Sequence, residues 1–308
     1  MEFLNAHILS SQQFDRKDVE KIIKVARELE PVAQKKLTSD LLRGKLLASL
    51  FYEPSTRTRL SFEAAMLRLG GKVASVVGME NSSIKKGETL YDTARIVSFY
   101  SDVVAIRYSE SGSTEAFSEG ATVPVINAGD GANEHPTQAL TDIFTIAKER
   151  KTVDGMTIAM VGDLKYGRTV HSLARLLSRY SVKLIFVSPP QLAMPQEIKH
   201  HLQEKGVFVE ETENLEDAIR RSDVLYMTRI QRERFSDEAT YKRFHGVYVL
   251  TKGLVERCNP HVLLLHPLPR CGEIHPDVDA LDGAGYFRQA GNGVSVRMAL
   301  LSLVLGKM

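Results

Sequence analysis

At 308 residues, with 43% hydrophobic and 25% charged side chains, the chain has the composition of a soluble globular protein long enough for two domains. Forty basic against 38 acidic residues leave a formal net charge of +2, which excludes a general nucleic-acid surface and requires any basic site to be local. The two cysteines, Cys258 and Cys271, lack Cys-x-x-Cys spacing, so neither a disulfide scaffold nor a thiolate zinc site is expected and a reducing cytoplasm fits. No basic segment precedes an apolar core at the start, and no apolar run reaches membrane-spanning length. The expectation is a cytoplasmic protein without membrane or nucleic-acid partners.

In chain order, Asp15 and Asp18 open a helix whose inner face is Val19, Ile22, Ile23, Ala26 and Leu29. Residues 46–52 read as a buried strand and lead into Ser55-Thr56-Arg57-Thr58-Arg59. On the helix that follows, Leu60, Ala64 and Leu67 recur as an apolar face, with Glu63 and Arg68 turned to water. Residues 73–77 form a short strand, 78–87 a polar basic loop, and Leu90, Ala94 and Val97 mark a helix. A strand over 103–107 ends on an arginine. The strand over 123–126 runs into the turn-rich Asn127-Ala128-Gly129-Asp130-Gly131, and helical spacing returns with Leu140, Ile143, Phe144 and Ala147.

The charged, aperiodic run 148–155 separates this series from a second one. Its strands are expected over 157–161, 183–187, 207–209, 224–227 and 262–265. Its helices are expected to carry Val170, Leu173, Ala174 and Leu177, then to span 197–205 and 215–221. A last helix puts Val294, Met298, Leu301 and Leu305 on one stripe. Strands alternating with helices in both halves predict an α/β protein of two doubly wound, parallel-sheet domains. Ligands of such sheets sit at the carboxyl ends of strands. The polar clusters fall there: after Tyr52, at Arg107, and after Ile126, Val161, Met227 and Leu265. A single cleft between the two domains would collect all six.

The Ser55–Arg59 stretch is the most telling of them. It places three hydroxyls and two guanidinium groups at the first turn of a helix, where backbone N–H groups and the positive dipole end are free. Such a turn binds an anion without a metal, and the planar fork of Arg57 matches phosphate oxygens. The plainer alternative is a Ser or Thr N-cap beside solvated arginines. Asn81-Ser82-Ser83-Ile84-Lys85-Lys86-Gly87-Glu88 would by itself be a solvated loop, Arg107 an ion-pair partner, and His135-Pro136-Thr137-Gln138 a helix start with proline at its first position. Gly162 and Gly167 superficially look like a dinucleotide turn, but the G-x-G-x-x-G spacing and the Walker lysine are missing. In His266-Pro267-Leu268-Pro269-Arg270, two prolines flank Leu268 and fix a rigid turn that exposes carbonyl groups, with a cis Leu268–Pro269 bond as one form.

Taken together, Ser-Thr-Arg-Thr-Arg, Lys-Lys-Gly-Glu, His-Pro-Thr-Gln, Gly-Arg-Thr-x-His-Ser, Thr-Arg-x-Gln and His-Pro-Leu-Pro-Arg occur in the order found in the aspartate carbamoyltransferase family, which the chain resembles from about residue 43 onward. The resemblance implies carbamoyl transfer from carbamoyl phosphate to the amine of L-aspartate, with no cofactor and no metal. It implies a carbamoyl-phosphate-binding domain of 1–134 with 288–308 and an aspartate-binding domain of 135–287.

The same resemblance assigns roles to residues. Ser55, Thr56, Arg57 and Thr58 would hold the phosphate, closed by Arg107 and by Ser82 and Lys86 from a neighbouring subunit. Thr58, Arg107 and His135 would donate to the carbonyl oxygen. Gln138 and the carbonyl groups of Leu268 and Pro269 would accept from the carbamoyl NH2. Arg168, Arg229 and Gln231, with Lys86, would clamp the aspartate carboxylates. Shared sites imply a homotrimer, to which a regulatory chain or a dihydroorotase partner would be an addition.

Departures are small: Cys271-Gly272 stands where many relatives carry Val-Asp, and Ser83-Ile84 fills its interval differently from some. The nearest rival is ornithine carbamoyltransferase. It shares the fold and two motifs, but it needs acids and a His-Cys-Leu-Pro turn, where this chain has Pro267.

Overall fold

The alternation of strand and helix resolves into two separate parallel sheets. The computed structural model describes residues 1–232, 235 and 237–308. These divide into a first unit of Met1–Thr141 with Gly291–Met308 and a second of Asp142–Ala290.

In the first unit the order is α1 (Arg16–Ala33), β1 (Leu46–Phe51), α2 (Arg57–Arg68), β2 (Lys72–Val77), α3 (Leu90–Tyr100), β3 (Val103–Tyr108), α4 (Ser113–Gly120) and β4 (Val125–Asp130). Asp15 caps α1 by accepting from Asp18 N, while the Asp18 carboxylate accepts from Asp15 N, both at 2.9 Å. Two orphan amides of the first turn are thereby satisfied. The four strands run parallel in the order β2-β1-β3-β4. Strand periodicity sends alternate residues of β1 to opposite faces. Ala48 and Leu50 pack with Ala94 of α3 and Phe117 of α4, while Ser49 meets α2 on the other face.

The face of α2 corrects the expectation. Thr58, Ser61, Phe62, Ala65 and Met66 are buried, whereas Leu60 and Leu67 are 49% and 57% exposed. Glu63 turns toward the sheet and accepts from the hydroxyls of Ser49 (3.0 Å) and Ser75 (2.8 Å). A carboxylate with two hydroxyl donors can lie against a sheet at little cost, and periodicity does not reveal those donors. Strand β4 also runs through Asn127 and Asp130, which read as loop because strands disfavour Asn, Gly and Asp.

Helix α5 (Pro136–Glu149) begins with proline at its first position, as the sequence indicates. The division between the units falls within it, at Thr141/Asp142. The second unit continues with β5 (Thr157–Val161), α6 (Arg168–Leu177), β6 (Lys183–Val187), α7 (Gln196–Glu204), β7 (Phe208–Thr212), α8 (Leu215–Arg221), β8 (Val224–Met227), α9 (Glu238–Phe244), α10 (Lys252–Cys258) and β9 (Leu263–Leu265). These strands are parallel too, in the order β7-β6-β5-β8-β9. Ala159, Val161, Leu225 and Leu264 form one core with Ile219 of α8 and Val255 of α10.

Helix α11 (Tyr286–Val304) contains the second division, at Ala290/Gly291. The family resemblance implies boundaries at 134/135 and 287/288, and the charged run 148–155 marks a division in the sequence itself. Residues 295–304 are buried on every side, so the expected single stripe corresponds to only part of what α11 buries.

Strand order reverses between β1 and β3 in the first sheet and between β5 and β8 in the second. Such switch points open a crevice beyond the strand ends, where α/β proteins bind ligands. In the second sheet the crossing is tight: Gly162, just after β5, has φ 116°, and an added Cβ would lie 2.4 Å from the Thr228 carbonyl oxygen. Only glycine fits there. Among the described residues, no helix is long and apolar enough to cross a membrane.

Candidate active site

The first switch point carries the anion-binding stretch. Between β1 and α2, Ser55 is half-buried, Thr56 and Arg57 are exposed, and Thr58 is buried. Thr56 occupies the N-cap position yet makes no side-chain cap hydrogen bond. The simple Thr56 capping alternative therefore does not describe this turn. Thr58 Oγ1 lies 3.5 Å from His135 Nε2. Arg107, on β3, donates from Nε to Glu53 Oε2 at 2.9 Å, and Tyr52 N donates to the Arg107 carbonyl at 3.0 Å. The strand ends thus bring Thr58, Arg107, His135 and the Ser55–Arg57 turn to one edge of the first sheet.

Immediately before His135 in the chain lies a buried acidic network that the sequence does not reveal. Asp130 accepts from Asn127 Nδ2, Asn133 Nδ2 and Glu134 N (3.1 Å each) and from Gly112 N (3.0 Å). The Glu134 carboxylate accepts from the hydroxyls of Ser10 (3.0 Å) and Ser11 (2.9 Å). Both carboxylates are buried. Also in the first unit, the buried Arg297 donates to the Gly293 carbonyl (2.9 Å) and lies over the Phe62 ring. Gln138 N donates to the His135 carbonyl at 3.0 Å, placing Gln138 one turn into α5.

Ser82 and Lys86 lie farther along the chain, at the 3₁₀ segment Ser83–Lys86 beyond β2. Ser82 donates to the Met79 carbonyl (3.2 Å) and Lys86 is exposed. Nearby, Tyr52 stacks edge-on with Tyr108, and burial, then the Glu88 charge, pushes its phenol up to about 12. It stays a neutral hydroxyl.

The second switch point joins the loops after β5 and β8. Gln231 Nε2 donates to the Tyr166 carbonyl at 3.1 Å. Asp163, fully buried, accepts from Tyr166 N at 3.0 Å. Burial raises its carboxyl above the ordinary range, opposed by backbone donors at Tyr166, Gln231 and Lys165 and by the Arg229 charge. Arg168 is the first residue of α6, and Arg229 and Gln231 are half-buried. The structure thus brings Arg229 and Gln231 to the loop that ends on Arg168. It also adds Asp163, which lies between Gly162 and Gly167 and is not singled out by the sequence.

The turn after β9 has the cis Leu268–Pro269 bond, and Leu268 takes φ 54°. A left-handed leucine costs about 1–2 kcal/mol, so its surroundings must hold it. Leu268 N donates to His266 Nδ1 (2.7 Å), His266 Nε2 meets Glu273 Oε1 (2.7 Å), and Cys271 N donates to Glu273 Oε2 (2.9 Å). Among the described residues, no group of three His, Cys, Asp or Glu side chains is arranged to hold a metal.

The arrangement can bind a tetrahedral anion at one sheet and offer cations and amides at the other. Comparison with known proteins places the chain in a family. Residues 6–148 match the carbamoyl-phosphate-binding domain of the aspartate/ornithine carbamoyltransferases, and residues 154–304 match their Asp/Orn-binding domain. The aspartate carbamoyltransferase catalytic subunit of Thermococcus kodakarensis is 51% identical over 306 residues, covering 99% of each chain. Among solved structures, the catalytic subunit of M. jannaschii aspartate transcarbamoylase superposes with a TM-score of 0.91 at 45% identity, covering 99% of this chain and 98% of the other. The Trypanosoma cruzi aspartate transcarbamoylase in complex with carbamoyl phosphate and aspartate gives 0.93 at 41% identity, covering 98% of each.

Proposed function

This chain belongs to the aspartate/ornithine carbamoyltransferase family, and on that premise we propose that it transfers the carbamoyl group of carbamoyl phosphate to the amine of L-aspartate. The products are N-carbamoyl-L-aspartate and phosphate, an early step of pyrimidine synthesis. The observation that carries the reading is the meeting of Thr58 and His135 at 3.5 Å beside an N-terminal helical turn without a side-chain cap. It combines a phosphate seat with donors for a carbonyl oxygen.

In this reading the first unit binds carbamoyl phosphate and the second binds aspartate. Ser55, Thr56, Arg57 and Thr58 hold the phosphate through hydroxyls, a guanidinium and the α2 amides. Thr58, Arg107 and His135 donate to the carbonyl oxygen as the amine attacks and negative charge grows there. One well-placed donor of this kind is worth roughly 3–4 kcal/mol. Gln138 and the carbonyl groups of Leu268 and Pro269 accept from the carbamoyl NH2. Arg168, Arg229 and Gln231, with Lys86, hold the two carboxylates of aspartate and aim its amine. Positioning supplies on the order of 7–11 kcal/mol in ideal cases. Because phosphate is a good leaving group, attack is direct and needs no covalent enzyme intermediate. The departing phosphate takes the amine proton.

The acting species is a homotrimer in which Ser82 and Lys86 serve the site of the adjacent subunit. Its support is an apolar surface on the first unit, with Phe99 78% and Tyr100 69% exposed beside Tyr91 and Ile96 on the same helix. Exposed apolar groups in such number on one helix mark an interface. Both cysteines are free, which suits action in the cytoplasm.

Titration calorimetry with carbamoyl phosphate and with ATP tests the reading. Saturable binding of carbamoyl phosphate without binding of ATP is expected. Binding of ATP alone would identify a nucleotide module instead.

A further inference from the structure

We infer that His266 and Glu273 form a positioning pair that sets the Leu268–Pro269 turn for recognition of the carbamoyl NH2, without themselves touching substrate. The inference rests on the proposed function, since it concerns how that same site tells a carbamoyl group from other acyl groups.

The chemistry of one hydrogen bond fixes the arrangement. Leu268 N lies 2.7 Å from His266 Nδ1, and a backbone N–H can only donate, so Nδ1 is the acceptor. The ring proton therefore sits on Nε2, from which it donates to Glu273 Oε1 at 2.7 Å. The second oxygen of the same carboxylate takes Cys271 N at 2.9 Å. An imidazole and a carboxylate thus bracket the turn at both ends, Leu268 on one side and Cys271 on the other. Between them Arg270 is tied to Asp279, Nη2 to Oδ2 at 2.7 Å.

The residue that carries the imidazole is buried and held through its backbone as well. His266 is 1% exposed, and its own backbone N donates to Gln289 Oε1 at 2.9 Å. Gln289 Nε2 donates to Asp142 Oδ1 (2.6 Å), and the Tyr226 hydroxyl donates to Asp142 Oδ2 (2.9 Å). A continuous buried polar chain therefore holds the His266 backbone. Orientation of this kind is what a recognition surface made of backbone carbonyls requires, because two acceptors must match two in-plane N–H groups at once. A carbonyl group has no rotamer of its own, so its direction is set by whatever holds the turn.

The two ring nitrogens can be separated by substitution. His266→Asn keeps an acceptor near the Nδ1 position and loses the link to Glu273. His266→Gln places its amide near the Nε2 position and leaves Leu268 N without its acceptor. Binding of carbamoyl phosphate, acetyl phosphate and inorganic phosphate to each full-length variant is measured by calorimetry, with thermal denaturation as the check on folding. Acetyl phosphate carries a methyl group where carbamoyl phosphate carries NH2. Expected for His266→Gln is at least a tenfold loss of carbamoyl phosphate affinity with less than a twofold change for the other two ligands, and recovery of most of that loss in His266→Asn. Should His266→Gln not fold, Glu273→Ala removes the acceptor of Cys271 N at the other end of the turn, a contact that His266→Asn keeps, and is expected to lose affinity with the same selectivity. Unchanged carbamoyl phosphate binding in the folded variant, or equal weakening of all three ligands, overturns the inference. A wild-type protein that fails to bind carbamoyl phosphate at all overturns the proposed function as well, which keeps the two failures apart.

Discussion

Arg107 donates from Nε to Glu53 Oε2 at 2.9 Å, so a carboxylate on the loop that carries Ser55 already orients the cation assigned to the carbonyl oxygen. The pair is mostly shielded, with side-chain exposures of 12% and 25%. A guanidinium held in this way needs little reorganisation when negative charge develops nearby.

Replacing Arg107 with alanine removes one donor from the proposed anion site and, with it, the Nε donor that Glu53 accepts from. The expected result is a fall in kcat/KM of about 10²–10³, with a melting temperature close to that of the wild type. Steady-state kinetics and thermal denaturation check both halves. A melting temperature that collapses would make Arg107 a structural residue.

Glu134 offers the opposite pattern. Its carboxylate accepts from the Ser10 and Ser11 hydroxyls in a buried setting. Glu134→Ala strands those donors and costs about 1–3 kcal/mol of stability, and it disturbs the segment that leads into His135. Urea denaturation is expected to show the loss together with a lower kcat. His135→Ala is expected to lower kcat while leaving the denaturation midpoint nearly unchanged.

The acidic network before His135 shows where sequence reading stops. The strand–helix alternation and the helix starts at Asp15 and Pro136 were legible because periodicity and capping are local. Ser10 and Glu134 are 124 residues apart, and nothing local to either reveals the other. The face of α2 was misjudged for the same reason, since Glu63 finds its donors on β1 and β2. The short helices α4, α9 and α10 were not anticipated, being too brief for a periodic signal to stand out. The polar clusters were legible as stretches at strand ends, while the roles proposed for their residues come from the family resemblance. Their supports, Glu53, Asp163 and Glu273, were not legible, as isolated acids look like ordinary surface.

Glu273 also makes a pH prediction. Burial alone would raise its carboxyl, but the hydrogen bond from His266, with the backbone donor at Cys271, holds it below the ordinary glutamate value. A carboxyl depressed in the folded state contributes stability above the unfolded value, roughly pH 4, and that contribution disappears as pH falls through the folded value. Asp163 has the opposite sign: raised mainly by burial, it costs stability when charged, and acid relieves that cost. Melting temperature followed from pH 6 downward is expected to fall less steeply in Glu273→Gln than in the wild type. A steeper fall in the variant would contradict the assignment.

Shared sites predict complementation. An Arg57→Ala chain and a Lys86→Ala chain are each expected to be inactive as homotrimers, whereas mixed trimers regain activity because some sites combine an intact Arg57 with an intact Lys86. Denaturing, mixing and refolding the two variants supplies the measurement. Mixed trimers without activity would restrict each site to a single chain.

The central claim is the identity of the amine. Purified protein supplied with carbamoyl phosphate and either L-aspartate or L-ornithine, with product and phosphate both quantified, is the most direct measurement. One N-carbamoyl-L-aspartate per phosphate released, and no citrulline, is the predicted result. Carbamoylation of ornithine, or phosphate release that does not depend on aspartate, would contradict it.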